Sequence, residues 1–263
     1  MNINLIDPIN FIKDKVHFNG ETALILGSGL GDFANNLVER NSIPFSKIPN
    51  FPISSVKGHD GEFVFGKING KEILVAKGRA HLYEGYSKNS VSSQVVIFKN
   101  LGIKNLIITN SAGSLKKKNP PGTFMIINGH IDATFQNSSL VPDVVSNSKF
   151  YSPKLISIAN QVGVEKKIRL ESGIYCWTLG PSYETAEEIR FFRKLNGSAV
   201  GMSTVPEIQI GGKLGIRMLT ISTLTNYAAG VSKSILSHDE VLINAEKSKG
   251  ILLKLLKNIL KRI

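Results

Sequence analysis

Segments typical of β-strands alternate with segments typical of α-helices along almost the whole of this 263-residue chain. Strand-like runs rich in aliphatic residues cover 22–27, 62–78 (a hairpin turning at Asn69-Gly70), 105–113, 122–128, 173–180, 198–204 and 216–226. Helical patterns fill 88–100, 153–162, 185–196, 205–214 and 239–262. This alternation predicts an α/β fold whose sheet is covered by helices on both faces. No linker or repeat interrupts it, so we expect one domain over residues 1–263.

Two helix starts and one long loop can also be placed. Thr185 with Glu188, and Ser237 with Glu240, have the spacing of capping boxes. Residues 129–150 have the least regular pattern and are predicted to form a long surface loop. The basic, amphipathic C-terminal segment is predicted to pack its Leu/Ile face on the body of the protein rather than on a membrane.

The composition favours a cytoplasmic protein that handles small anions. The net charge is +12, but the lysines are dispersed and are not interleaved with aromatic residues, so we expect no nucleic-acid partner. The single cysteine, Cys176, excludes an intrachain disulfide. No secretion signal and no apolar run of membrane-spanning length is evident.

The stretch "KGRAHLYEGY" places an arginine, a histidine, a tyrosine and a glutamate directly after a predicted buried strand. A simple turn would use Gly, Asn, Asp or Pro instead. Arg79 offers a planar fork that matches phosphate, and His81, two residues later, offers a second donor on the same side if the chain is extended. The stretch therefore predicts a binding site.

Other chemistry-bearing stretches also fall at strand ends. "GSGLG" (27–31) is a glycine-rich turn with the hydroxyl of Ser28, but its spacing is not that of a dinucleotide or Walker motif. His59 stands in a loop between two glycines, and Glu184 precedes a helix cap. Further strands end at Ser203 and Asn226. Because ligands of α/β sheets bind outside the carboxyl ends of strands, these residues are predicted to share one site.

In order, the motifs GSGLG, GHxG, GRxHxYEG, TNxAG, GPxYET, VGMSxVPE and a late TN resemble those of the trimeric purine nucleoside phosphorylases. The resemblance runs from about residue 22 to 241. It implies a mixed α/β sheet, a homotrimer, and a pentosyltransferase that needs neither metal nor cofactor. The implied reaction is reversible phosphorolysis, in which phosphate converts a purine nucleoside to the free base and ribose 1-phosphate.

The resemblance also implies roles for individual residues. The phosphate site would comprise Ser28, His59, Arg79, His81, the backbone of Ser111, and Ser203. The ribose would contact Tyr83, Met202 and His238. The base would lie against Ala112, Gly113 and Tyr183, with Glu184 and Asn226 hydrogen-bonding to its edge. The residues expected to act in catalysis are His81, Glu184 and Asn226.

These roles match the charge that develops in the reaction. The ribose becomes cationic and the departing purine anionic, so an anion is needed beside the sugar and a donor at the base. Phosphate supplies the anion and the nucleophile. The amide of Asn226 can donate to purine N7, and a neutral His238 at a helix N-terminus can hydrogen-bond the 5′-hydroxyl. Glu184 favours 6-oxopurines such as hypoxanthine and guanine, because a carboxylate accepts from their N1–H.

The chain departs from the family pattern in one loop. The family carries an Arg/Phe-rich segment ending in MSxAYD, which contributes a phenylalanine to the neighbouring subunit; this chain reads "QNSSLVPDVVSNSKFYSPKL" there. It keeps Tyr151 with Ser-Pro, and Leu140 is the candidate for the place of the phenylalanine. After VPE the chain also lacks the ARH of the family.

Three alternatives stay open. A methylthioadenosine or adenosine phosphorylase would share the phosphate site. A nucleosidase that uses water would not need the side chains of Ser28, Arg79, His81 and Ser203 together. A purine or nucleic-acid binder would not need a donor at N7.

Overall fold

The computed structural model describes residues 5–27, 29–54, 61–136, 141–232 and 238–263. Its strands are β1 (Thr22–Leu26), β2 (Val38–Pro44), β3 (Glu62–Ile68), β4 (Lys71–Lys77), β5 (Asn105–Ser114), β6 (Phe124–Asp132), β7 (Val144–Val145), β8 (Leu170–Trp177), β9 (Gly197–Gly201) and β10 (Arg217–Tyr227). Its helices are α1 (Ile6–Lys15), α2 (Lys88–Val91), α3 (Ser93–Asn100), α4 (Pro153–Lys166), α5 (Ala186–Lys194), α6 (Val205–Lys213) and α7 (His238–Leu260).

The strands form one mixed sheet in the order β10-β6-β8-β9-β5-β1-β4-β3-β2, with β7 on β6. Strand β5 has three neighbours: β1 and β10 run parallel to it, and β9 crosses it antiparallel over two residue pairs. The pairing of β10 with both β5 and β6 closes β10, β6, β8, β9 and β5 into a ring. This curvature brings the ends of β5, β9 and β10 together.

Helices cover the sheet on both faces, which confirms the predicted fold class. Alternate residues of β1 pack on opposite sides because successive strand side chains point to opposite faces. Ile25 joins a core with α1, α3 and α6, whereas Leu24 joins one with α4 and α7. The apolar side of α7 is buried through Leu252, Leu255, Leu256, Ile259 and Leu260, so the C-terminal helix packs on the body as predicted. Within the described ranges, every helix is too short or too polar to span a lipid bilayer.

Most predicted elements are present, with shifted ends. The hairpin turns at Asn69-Gly70, where both residues have positive φ (51° and 76°), as a two-residue hairpin turn requires. Thr185 and Glu188 form the predicted capping box at the start of α5. Ser237 lies outside the described residues.

Three predictions of regular structure need correction. The helix predicted over 88–100 divides at Ser92 into α2 and α3. The loop predicted over 129–150 is partly strand, because β6 continues to Asp132 along its parallel partner β8, and β7 pairs with it. Helix α1 and strand β2 were not predicted; β2 is exposed at nearly every position and lacks the alternation that marks a half-buried strand.

Candidate active site

A cavity of about 270 Å³ opens where the ends of β1, β4, β5, β9 and β10 and the segment after β8 meet. Most of the residues predicted from the sequence line it: Arg79, His81, Tyr83, Ser111, Ala112, Gly113, Tyr183, Glu184, Met202, Ser203 and Asn226. Ser28, His59 and Leu140 lie outside the described residues. His238 begins α7, but its side chain is not described.

Strand β5 provides the common wall of this cavity. Asn110, Ser111, Ala112 and Gly113 all line it. Gly113 is paired with Asn226 of β10, and a Cβ on Gly113 would lie 3.2 Å from Nδ2 of Asn226. Glycine therefore leaves the Asn226 amide in place at one end of the wall.

Arg79 is held rigidly at the other end of the wall. It is 2% exposed, and its Nη1 donates to Oγ1 of Thr204 (2.8 Å) while Nη2 donates to the carbonyl oxygen of Thr109 (2.5 Å). Ser203 Oγ lies 3.4 Å from Nη1, and the buried carboxylate of Glu207 lies 3.5 Å from it. The guanidinium thus has a fixed orientation and a buried counter-charge, and Ser203 stands beside it.

His81 is fixed by a carboxylate. The Glu84 carboxylate accepts from the backbone N–H of His81 (2.8 Å) and lies 3.0 Å from Nδ1 of its ring. Burial lowers the pKa of His81, although Glu84 opposes the shift. Since a carboxylate only accepts, Nδ1 carries the proton of the neutral ring and Nε2 is an acceptor. His81 therefore presents a second donor to an anion only in its protonated form.

The rings of His81 and Tyr83 stack, with centroids 4.8 Å apart and 13° between their planes. Burial, with a contribution from Glu84, raises the pKa of Tyr83 to about 12, so the phenol keeps its proton at neutral pH. Gly180 (φ +74°) passes close by, and a Cβ there would lie 2.5 Å from Met202 Sδ and 2.8 Å from Tyr83 Cδ1. Only glycine lets the segment after β8 approach these two side chains.

Hydrogen bonds from Thr178 and from its own backbone N–H orient the Glu184 carboxylate. The hydroxyl of Thr178 donates to Oε1 of Glu184 at 2.6 Å. Burial raises the pKa of Glu184, and the bond from Thr178 acts in the opposite direction. The carboxylate lines the cavity in this orientation, where it can accept from a ligand.

The amide of Asn226 is oriented as a donor towards the cavity. Its Nδ2 donates to the carbonyl oxygen of Tyr227 (3.0 Å), and its Oδ1 accepts from the hydroxyl of Thr225 (3.0 Å). A carbonyl oxygen cannot donate, so the amide nitrogen must be the atom that faces Tyr227. One N–H of Asn226 then remains for a ligand.

Sequence reasoning missed the polar residues that support these groups, namely Glu84, Asn110, Thr178, Thr204, Glu207 and Thr225. Each lies inside or next to a quoted motif, such as TN in "TNSAG" or the threonine before Asn226. The residue types do not reveal which neighbour each side chain contacts, because a threonine that caps a helix cannot be distinguished in the sequence from one that orients a neighbouring side chain. Among the described residues, no group of three or more His, Cys, Asp or Glu side chains is arranged to hold a metal ion.

Comparison with known proteins identifies the family. A family model described as the phosphorylase superfamily matches residues 21–261. The purine nucleoside phosphorylase 1 of Geobacillus stearothermophilus is 40% identical over 260 residues, which are 96% of this chain and 95% of that protein. That of Bacillus subtilis is 40% identical over 256 residues, covering 95% of this chain and 94% of that protein.

A solved structure supports the same family and the same fold. The Schistosoma purine nucleoside phosphorylase in complex with hypoxanthine matches with a TM-score of 0.88 at 31% identity, covering 98% of this chain and 96% of that one. The family resemblance, the enzyme class and the mixed α/β fold predicted from the sequence are confirmed. This chain belongs to the phosphorylase superfamily, and the two bacterial relatives described above are purine nucleoside phosphorylases.

Proposed function

We propose that this protein catalyses the reversible phosphorolysis of 6-oxopurine ribonucleosides and deoxyribonucleosides, such as inosine and guanosine. The observation that carries the proposal is the arrangement along β5. Arg79 and Ser203 gather at Thr204, which accepts from Asn110, whereas Asn226 lies at Gly113. Asn110 and Gly113 are three residues, roughly 10 Å, apart along β5. A cation for phosphate and a donor for the base thus lie at opposite ends of this wall, which leaves the ribose between them.

At the phosphate end, Arg79 and Ser203 bind the nucleophile together with the backbone of Ser111. Ser28 and His59 are proposed to complete this set. His81, beside Arg79, donates to phosphate when protonated, or accepts from a phosphate hydroxyl when neutral. The bound dianion then faces the cationic ribose of the transition state.

In the middle of the cavity, Tyr83 and Met202 are proposed to hold the sugar. The phenol of Tyr83 remains protonated and stacks on His81, so it can contact the ribose without charge. His238, at the start of α7, is proposed to reach the 5′-hydroxyl.

At the base end, two oriented groups support selectivity for 6-oxopurines. The remaining N–H of Asn226 donates to N7 as the purine becomes anionic, which assists its departure. The carboxylate of Glu184 accepts from N1–H, and from the 2-amino group of guanine. Ala112 and Gly113 form a flat wall against the purine, opposite the ring of Tyr183.

Related enzymes bind nucleosides of this class. Schistosoma mansoni purine nucleoside phosphorylase has been crystallised with inosine and, in a separate structure, with adenosine, and a Schistosoma enzyme with guanosine. The adenosine complex shows that a related pocket can hold a 6-aminopurine. The selectivity proposed for this chain is a difference in the rate of cleavage between 6-oxopurine and 6-aminopurine nucleosides, not a difference in whether they bind.

We further propose a cytoplasmic homotrimer that uses no cofactor besides inorganic phosphate and forms one domain. Exposed apolar side chains after β6 support an interface: Phe135, Val141 and Val144, which are 51%, 58% and 42% exposed. They belong to the altered segment between β6 and α4. Tyr151 of this segment is buried against His130 instead of reaching solvent.

One substrate panel tests the proposal. Inosine, guanosine, xanthosine, adenosine and methylthioadenosine are each incubated with and without phosphate, and base release is followed. We expect phosphate-dependent cleavage of inosine and guanosine. Preferred cleavage of methylthioadenosine would favour the alternative phosphorylase, and equal release without phosphate would favour a nucleosidase.

A further inference from the structure

Thr204 has an unusual backbone conformation at the edge of the cavity. It is fully buried, with φ 80° and ψ −41°, a region that β-branched residues rarely enter and that is costly for them. It precedes α6 at the position where threonine ordinarily caps a helix. Its hydroxyl makes no capping hydrogen bond, and the Glu207 carboxylate accepts from the Thr204 backbone N–H instead. The hydroxyl is therefore committed elsewhere.

That hydroxyl joins three side chains. Arg79 Nη1 lies 2.8 Å from it, Asn110 Nδ2 2.9 Å, and Ser203 Oγ 3.0 Å. A hydroxyl accepts two hydrogen bonds and donates one. Arginine only donates. If Asn110 donates as well, both acceptor positions are filled, and the single proton of Thr204 must point at Ser203.

The direction of the hydrogen bonds that run from Asn110 through Thr204 to Ser203 decides whether Ser203 can donate to a ligand. When Thr204 donates to Ser203, the proton of Ser203 is left for a ligand. If Asn110 were turned so that its oxygen faced Thr204, Thr204 would donate to Asn110. Ser203 would then donate to Thr204 and have no proton for an anion. Binding of an anion at Ser203 therefore favours the orientation in which Asn110 donates.

We propose that Thr204 is a positioning residue that directs the Ser203 proton, and the Nη1 edge of Arg79, towards bound phosphate. The proposal rests on the proposed function, because it assumes that phosphate is the ligand. It adds that a buried threonine, which does not itself touch the substrate, sets phosphate affinity through the direction of its hydrogen bonds.

The test compares Thr204→Val, Thr204→Ala and Thr204→Ser in the full-length enzyme. Valine keeps the branched shape and removes the hydroxyl, alanine removes it with less backbone strain, and serine keeps it. Phosphate binding is measured by titration calorimetry, and the KM values for phosphate and inosine by steady-state kinetics. Thr220→Val is the matched control, because Thr220 is also buried in the sheet and its hydroxyl has no hydrogen-bond partner in the described part of the chain.

We expect valine and alanine to weaken phosphate binding about 10- to 100-fold, because Ser203 and Arg79 would no longer be held in the direction that donates to a charged ligand. The KM for inosine should change less than about threefold, serine should retain most of the affinity, and Thr220→Val should match the wild type. In the Ser203→Ala background, Thr204→Val should have a clearly smaller effect, since part of its action passes through Ser203.

The proposal is overturned if Thr204→Val or Thr204→Ala binds phosphate as the wild type does. It is also overturned if Thr204→Ser loses as much affinity as they do, or if the effects of Thr204→Val and Ser203→Ala are additive. Failure of the proposed function is distinguishable, because the wild-type enzyme would then show neither phosphate binding nor phosphate-dependent turnover before any variant is made.

Discussion

The hydroxyl of Thr225 lies 3.0 Å from Oδ1 of Asn226, while the amide nitrogen of Asn226 donates to the carbonyl oxygen of Tyr227. The side chain is thus held at both ends, and its direction is set by a neighbour that can only accept. Two residues of the same strand thus fix the direction of the Asn226 amide, the group proposed to donate to a departing purine.

This arrangement predicts the effect of Asn226→Asp. A carboxylate would repel the Tyr227 carbonyl and offer purine N7 no donor, so we expect kcat for inosine to fall by about 10²-fold or more, comparable with the loss of one transition-state donor. The ratio of adenosine to inosine turnover should rise, because a carboxylate can accept from a 6-amino group. Unchanged inosine turnover, measured by hypoxanthine release, would remove Asn226 from the base site.

Glu184→Gln should remove the preference for 6-oxopurines. The glutamine can keep the bond from Thr178 through its oxygen, and it then presents an NH₂ group where guanine offers donors. We expect kcat/KM for guanosine to fall by 10²-fold or more, since a mispaired buried polar group costs about 1–3 kcal/mol on each side. Glu187→Gln, an exposed glutamate on α5, is the control. Equal losses in both variants would contradict the role of Glu184.

The pH dependence of Glu184 has a definite sign. Burial raises its pKa, so as pH falls the carboxyl gains its proton at a higher pH than an ordinary glutamate does. The affinity for guanosine should therefore decline on the acid side. Glu184→Gln should not show that decline.

Stability should also fall in acid because of His130. This ring is 1% exposed and lies 2.5 Å from the hydroxyl of Tyr151, and burial lowers its pKa to about 4. The unfolded chain takes up a proton near pH 6.5, whereas the folded chain resists it, so stability is full above that pH and is lost as pH falls towards 4. The loss from this group is about 2 kcal/mol at pH 5.

Urea unfolding at pH 7.5 and pH 5 measures this effect. His130→Gln should shrink the difference between the two pH values, although it lowers stability at both because it disturbs the contact with Tyr151. His17→Gln, at an exposed position, should leave the difference unchanged. An undiminished difference in His130→Gln would show that other groups cause the acid sensitivity.

A homotrimer is predicted from the family resemblance and from the exposed apolar surface formed by Phe135, Val141 and Val144. Light scattering should give three times the 28.7-kDa mass of the chain. A Phe135→Asp/Val141→Asp double variant should dissociate, because these exposed apolar residues would carry charge into an interface. Val38→Ser, on β2 at the far edge of the sheet, is the control. A fully active wild-type monomer would refute the trimer.

The sequence predicted which residues line the cavity better than it predicted which residues orient them by hydrogen bonds. Arg79, Glu184 and Asn226 could be singled out because they follow or close predicted strands, where ligands of α/β sheets bind. The wall at Gly113 could be placed because small residues closed a strand. The directions of their hydrogen bonds depend on contacts between distant parts of the chain, such as Asn110 with Thr204, 94 positions later.

The fold shows the same division. Strands buried on both faces, such as β1, were recognisable from continuous apolar runs. The extension of β6 from Gly129 to Asp132 was not, because polar and small residues interrupt its pattern. Pairing with β8 maintains the strand there, across a shift of register between Ile127 and Gly129.

The central claim is that phosphate, and not water, attacks the nucleoside at Arg79 and Ser203. The most direct measurement is ³¹P NMR of inosine incubated with the enzyme and inorganic phosphate, with hypoxanthine quantified in the same samples. We predict one ribose 1-phosphate for each hypoxanthine released, and no release when phosphate is omitted. Hypoxanthine released at the same rate without phosphate, with free ribose as the other product, would contradict the account.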